Sequence, residues 1–332
     1  METTRIAGGE KVGPGTVKRH PIPSSAVFWA VIVVLAAWPL ATAHPQLVCR
    51  VFTMAFLYAV VAMAWNLTAL SGLISLGHAA YFGLGAYGAA LMDHYGSGHL
   101  AVTLTAGALA AGIYGALCAA VFRNLRGATF ALVTLAAVEI PKVIADNWES
   151  VTFGSLGLVG IRPLPVVRVG PVAIDLGGSL TAQYYALLLV LLAGTWIHGK
   201  AIHSRWGWAL RAVREDEQAA GVLGVPVYPL RWIVMTLSAV LTGLCGGLYA
   251  HLHGFVEPPV VFSAHLSAMP LVLSILGGRF RWFGPALGAL VLYPLDQLVL
   301  HPVLPAGHAA VYGLVIVGSV LFFPNGLGSW KK

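Results

Sequence analysis

Two kinds of residue in this chain could do chemistry: isolated ionisable groups inside apolar stretches, and one dense run of charge between two such stretches. The run places Arg211, Arg214, Glu215, Asp216 and Glu217 within seven residues. Arginines and carboxylates at that density suit charge-assisted docking of another protein; the plainer reading is a solvated connection, as most charge runs are. The isolated groups are His78, Asp296, and Glu139 with Lys142. Ionisable side chains are costly in hydrocarbon, so they pair with one another, face a cavity or relay protons. Glu139 and Lys142 are three residues apart and adjacent on a helix, so simple pairing and a place in a solute path both stand. For His78 the choice lies between a hydrogen bond at a helix end and a place in the path or its gate.

Other chemistries find no residues to carry them. There is no G-x-x-x-x-G-K-[ST] loop, so ATP hydrolysis by the P-loop route would have to come from a partner. No Ser-His-Asp set can be assembled, and the twelve histidines are dispersed. His251-x-His253 falls at the end of an apolar stretch and reads as interfacial. Cys49, Cys118 and Cys245 have neither metal-ligand spacing nor a disulfide framework. Gly83, Gly85 and Gly88 spell a dinucleotide fingerprint, but no strand precedes them and they lie within an apolar run. No cofactor and no metal is expected, and the chain is not read as an enzyme.

The elements that must position these residues follow from composition. Of 332 residues, 58% are hydrophobic and 9% charged, where soluble domains carry about 25% charge. That balance fits an all-α polytopic membrane protein in a lipid bilayer. Apolar spans are expected near 26–43, 51–70, 77–95, 100–122, 128–147, 181–199, 232–252, 266–277, 283–300 and 309–323. The span at 266–277 is short for a bilayer that needs about 20 residues, which suggests a re-entrant or broken helix. Counted from an inside N-terminus, fifteen of the nineteen Lys and Arg fall on one side, so both termini and the 200–231 segment are expected in the cytoplasm. The net charge of +7 is spread between apolar runs, without a basic stripe that would bind nucleic acid. Residues 1–25 form a basic arm and 26–330 the membrane domain, within which 148–180, rich in Pro and Gly, reads as a periplasmic connection with short extended pieces. Ala41-Thr42-Ala43 has the form of a signal-peptidase site, although retention of the first span is favoured by the long arm before it.

Between Lys200 and Arg231 the charge run reads as a short amphipathic helix. Trp206, Leu210, Val213, Ala220 and Leu223 share a face, with Glu217 completing the stripe. Arg211 with Glu215, and Arg214 with Glu217, have the spacing to pair along the helix. Gly224 is placed to close the helix in a left-handed cap, and Pro226 prevents its resumption.

Several ordered stretches resemble one family. Ser204-Arg205-Trp206-Gly207, then Ala209 to Glu217, then Leu223-Gly224-Val225, is similar to the coupling segment of the LivM-type permease subunits of branched-chain amino-acid ABC importers. The block from Asn66 through Ser71-Gly72-Leu73-Ile74-Ser75-Leu76-Gly77-His78 to Gly85-Ala86-Tyr87 resembles another hallmark of that family. So do Asn147-Trp148 leading into Gly154, Ile275-Leu276-Gly277-Gly278, Gly284-Pro285-Ala286-Leu287-Gly288-Ala289, and Phe323-Pro324-Asn325-Gly326-Leu327. Two places depart from the pattern. Phe153 and Leu156 stand where a Thr-Gly-Gly turn and a polar residue are usual, and Arg279-Phe280-Arg281-Trp282-Phe283 replaces a small Gly-containing turn.

The resemblance implies a permease subunit of the bacterial inner membrane with about ten transmembrane helices. Its partners would be a second homologous permease subunit, two ABC ATPases that contact Arg211, Arg214, Glu215, Asp216 and Glu217, and a periplasmic substrate-binding protein. Ser75, His78, Glu139, Asn147 and Thr152 are the candidates for the solute path. Leucine, isoleucine and valine are the expected solutes, with urea or short amides as the alternative. A secondary transporter coupling protons through Glu139, Asp296 or His78 is the rival from another class.

Overall fold

A long apolar stretch has one local way to satisfy its own backbone away from water, the α-helix, and the chain takes it almost throughout. The computed structural model describes residues 25–41, 46–96, 98–169, 172–279 and 281–300, with Pro302 and Leu314. In order these form α1 (Ser25–Ala41), α2 (Gln46–Ala69), α3 (His78–Tyr95), α4 (Leu100–Val121), α5 (Gly127–Asn147) and a short α6 (Glu149–Thr152). Next come α7 (Leu180–His203), α8 (Arg205–Glu215), α9 (Glu217–Val222), α10 (Val227–His253), α11 (Pro258–Val261), α12 (Ala264–Gly277) and α13 (Gly284–Leu295). A π-helical turn, Asp296–Leu300, follows Pro294 near the end of α13, a place where the lost backbone donor favours such a turn.

Among the described residues, six units are long and apolar enough to cross a membrane: α2, α4, α5, α7, α10 and the stretch 258–277, with shorter apolar helices at 28–39 and 284–300. The expected short span at 266–277 is longer than it looked. It is two helices, α11 and α12, interrupted at Phe262 and Ser263, with the Ser263 hydroxyl accepting from the Leu266 amide to start α12 (3.2 Å). Residues 1–24, the end of the Ala41-Thr42-Ala43 motif, the 309–323 span apart from Leu314, and the Phe323–Leu327 motif lie outside the described residues.

At the centre α3, α4 and α10 press together on small residues. A methyl placed on Gly107 would stand 2.3 Å from the Gly85 carbonyl oxygen, and one on Gly246 would stand 2.0 Å from that of Phe82. Such approach brings backbones into van der Waals contact where lipid offers no hydrophobic drive. Against this centre packs α2, which buries Phe56 and Trp65 completely. Outward faces stay apolar: Leu109 and Leu117 on α4, Leu132 and Ile140 on α5, and Leu189 and Trp196 on α7 are all exposed.

The 148–180 segment holds α6, a 3-10 turn, and three short strands. β1 (Leu158–Val159) pairs antiparallel with β4 (Phe255–Val256), and β2 (Val166–Val169) with β3 (Val172–Asp175).

Candidate functional site: the charged segment and the polar residues behind it

The charged segment is two helices, not one. Ser204 starts α8 by accepting from the Gly207 amide (3.3 Å). At Asp216 the backbone turns extended, and its carboxylate accepts from the amides of Gln218 (2.9 Å) and Ala219 (3.0 Å), capping α9. An Asp in mid-helix competes for backbone donors in this way, which is why it suits caps better than helix interiors. Gly224 closes α9 with φ +85°, a conformation that costs glycine nothing. Of the expected apolar stripe, Leu210, Val213 and Ala220 are buried in a cluster with Leu67, Leu70, Ile202, Val227 and Leu230. Trp206, in the first turn of α8, and Leu223, just past the end of α9, are exposed instead.

The expected pairs along the helix are replaced by others. Arg211 lies over the Trp208 ring (4.8 Å) and donates to the Ile202 carbonyl (3.4 Å), not to Glu215. Arg214 pairs with its neighbour Glu215, not with Glu217. Glu217 turns inward and takes two arginines from distant parts of the chain. Arg126 grips it through Nε (2.6 Å) and Nη2 (2.5 Å), and Arg231 donates to Oε2 through Nη1 (2.7 Å). The hydrogen bonds from Arg126, joined by those from Arg231, hold the Glu217 carboxyl down at about 2. Burial opposes them only in part. The same bond raises the Arg126 guanidinium above its ordinary value.

Those two arginines do further work at this end of the bundle. Arg126 also donates to the Arg123 (2.6 Å) and Leu125 (2.8 Å) carbonyls, closing the turn between α4 and α5. Arg231 reaches the Ser71 carbonyl (3.2 Å) in the connection between α2 and α3. In the sequence, Arg126 and Arg231 stand out only as two of the fifteen Lys and Arg assigned to the inside. Helical spacing ranks neighbours three or four residues away, whereas Arg126 is 91 residues from Glu217. The one available signal was that Arg231 is the sole Lys or Arg in α10.

The path candidates do not form one site. His78 is buried at the start of α3, where its Nε2 meets the Ser238 hydroxyl of α10 (2.9 Å). That hydroxyl donates to the Ala64 carbonyl (2.7 Å), so it accepts from His78, and the Nδ1 atom has no partner among the described residues. Ser75 accepts from the Gly77 amide (3.2 Å), while its carbonyl receives the Trp65 indole N–H (2.7 Å). Glu139 is paired with Lys142 (3.1 Å) on the outer face of α5. Asn147 is exposed at the end of that helix and bonds the Val143 carbonyl (2.8 Å). Thr152 is buried and donates to the carbonyls of Ala145 (2.7 Å) and Trp148 (2.8 Å). Ser75 and His78 therefore sit behind the charged segment, whereas Glu139, Asn147 and Thr152 follow α5 away from it.

One further expectation changes in part: His253 is exposed at the end of α10, but His251 is buried between the Thr103 hydroxyl (2.8 Å) and the Arg162 carbonyl (2.7 Å). Asp296 is buried, with Gln297 donating to its Oδ2 (3.0 Å). Among the described residues no group of three or more side chains could hold a metal ion, and the three cysteines are free and buried.

Residues 47–323 match the family described as "Branched-chain amino acid transport system / permease component". The chain is similar to the high-affinity branched-chain amino acid transport system permease protein LivM of Salmonella typhimurium. Identity is 30% over 290 residues, covering 81% of this chain and 67% of that protein. The Escherichia coli LivM protein is 29% identical over 289 residues, with the same coverage. The autoinducer 2 import system permease protein LsrC of Yersinia pestis is 27% identical over 202 residues, 56% of this chain and 54% of LsrC. No solved structure matches the chain.

Proposed function

The chain belongs to the branched-chain amino acid transport permease family, and from that premise we propose how its charged segment and its polar residues serve transport. It is a multi-pass membrane protein and a transport subunit, not an enzyme, and it acts as a permease of a branched-chain amino-acid ABC importer. The finer reading places it in the bacterial inner membrane, with about ten spans and both termini cytoplasmic. A second homologous permease subunit, two ATPases and a periplasmic binding protein complete the complex.

One observation carries the coupling role: α8 and α9 bury Leu210, Val213 and Ala220 on helix ends while presenting exposed Glu215, Asp216, Val222 and Leu223. A short element anchored by its apolar face and offering charge beside two bare aliphatic residues suits a partner's groove. ATP-driven closure of the ATPases would then push on this segment. A zwitterion cannot cross hydrocarbon unaided, so the solute needs a polar path. Glu139 and Lys142 on an otherwise apolar outer face support a path along α5, because an ion pair there is costly against lipid and far less so against water or a second subunit.

The test is uptake of labelled leucine into vesicles holding the reconstituted complex. Uptake that requires ATP and survives an uncoupler is expected. Uptake that persists without ATP and collapses with the uncoupler would establish the proton-coupled rival, and competition by urea would redirect the substrate.

A further inference from the structure

Glu217 faces away from the surface that α8 and α9 present, yet it is the best-connected acid at this end of the bundle. Its two oxygens take three hydrogen bonds from two guanidinium groups, at 2.5 to 2.7 Å. The Arg231 side chain is 9% exposed and that of Glu217 29%, so the cluster is shielded enough for geometry to matter more than for a surface pair. Each arginine has a second grip elsewhere. Arg126 closes the turn that opens α5, and Arg231 holds the Ser71 carbonyl, four residues before Ser75 and seven before His78. The segment also leans on that connection directly, for a methyl placed on Gly72 would lie 3.4 Å from the Cα atom of Arg214.

An apolar contact would tolerate sliding, whereas a bidentate arginine–carboxylate pair fixes both distance and angle. We propose that Glu217 is the joint through which displacement of the 204–224 segment reaches the solute path. Arg126 hands the movement to α5, and Arg231 hands it to the connection that carries Ser75 and His78. Neither arginine touches solute; both are positioning residues. The joint rests on the transport reading above and adds the route by which ATP hydrolysis reaches the membrane helices.

The experiment measures ATP hydrolysis and leucine uptake in the same vesicles, containing the complete complex with wild-type chain, Glu217→Gln, Glu217→Asp or Arg126→Lys. Glu217→Gln removes the charge and should lower uptake per ATP by about tenfold, on the order of 1.4 kcal/mol of coupling. Arg126→Lys keeps the charge and loses the fork, so it should fall between Glu217→Gln and wild type. Glu217→Asp should restore part of the ratio. If Glu217→Gln fails to insert, Arg126→Lys decides alone. Uptake and hydrolysis falling in step, or neither changing, would overturn the joint while leaving the transport reading intact. A wild-type complex that takes up no leucine with ATP overturns both.

Discussion

The backbones of Gly85 and Gly243 touch: a methyl placed on Gly85 would stand 2.2 Å from the Gly243 carbonyl oxygen. No side-chain rotation relieves a clash with backbone, so Gly85→Ala must push α3 and α10 apart. Overpacking of this kind costs about 1–3 kcal/mol, and here the upper end applies. The expected result is a clear fall in thermal midpoint and yield of the detergent-purified protein. Gly221→Ala is the control, since no described residue lies within 4 Å of a methyl at that helical position. Equal midpoints for the two variants would contradict the close approach.

That contact was half legible in the sequence. Gly85, Gly88 and Gly243-to-Gly247 are small residues in apolar runs, which announces close helix packing but not which helices meet. Hydropathy likewise located most of the long helices among the described residues, because backbone satisfaction in hydrocarbon leaves few alternatives. What stayed hidden was pairing over long separations. Ser238 as the partner of His78, and Arg126 and Arg231 as partners of Glu217, depend on how three helix ends meet, and no local periodicity encodes that. The break at Asp216 was within reach: an Asp followed by Glu and Gln is a helix start as readily as a helix middle. Phe153 is a different case. Its φ of +60° is one a glycine adopts freely, so the turn keeps a conformation suited to the usual Gly even though this chain has a bulky residue there.

Acid should weaken the anchoring of the charged segment, and the sign follows from Glu217. Its carboxyl is held at about 2, against 4.5 when free. A group whose folded value is depressed contributes stability above its unfolded value and loses it as pH falls through the folded one. Its contribution is therefore complete above about 4.5 and declines toward 2. Thermal midpoints taken from pH 7 to pH 3 should fall more steeply for wild type than for Glu217→Gln, which has no carboxyl to protonate. Parallel curves would mean that the arginines do not hold Glu217 in solution.

The proposed orientation can be read chemically, because Cys49, Cys118 and Cys245 are all buried and leave a low background. Leu223 is 83% exposed at the end of α9 and Leu156 is 84% exposed in the 148–180 segment. A membrane-impermeant maleimide should label Leu223→Cys only in inside-out vesicles and Leu156→Cys only in right-side-out ones. Labelling of both from one side would remove the cytoplasmic placement of the 200–231 segment.

Docking of the ATPases is best tested at residues that the fold itself does not use. Glu217 is unsuitable, since removing it breaks contacts to Arg126 and Arg231 as well as any partner contact. Val222 and Leu223, 89% and 83% exposed, touch little of their own chain. Replacing both by serine should change folding stability by less than about 0.5 kcal/mol, as surface substitutions usually do. If the pair fills a partner's groove, its removal should cost more than about 1 kcal/mol of binding, roughly a fivefold weaker hold on the ATPases. The expected outcome for Val222→Ser with Leu223→Ser is an inserted protein with an unchanged thermal midpoint that loses the ATPases during purification. Full co-purification at the wild-type level would leave α8 and α9 as a solvated connection without a docking role.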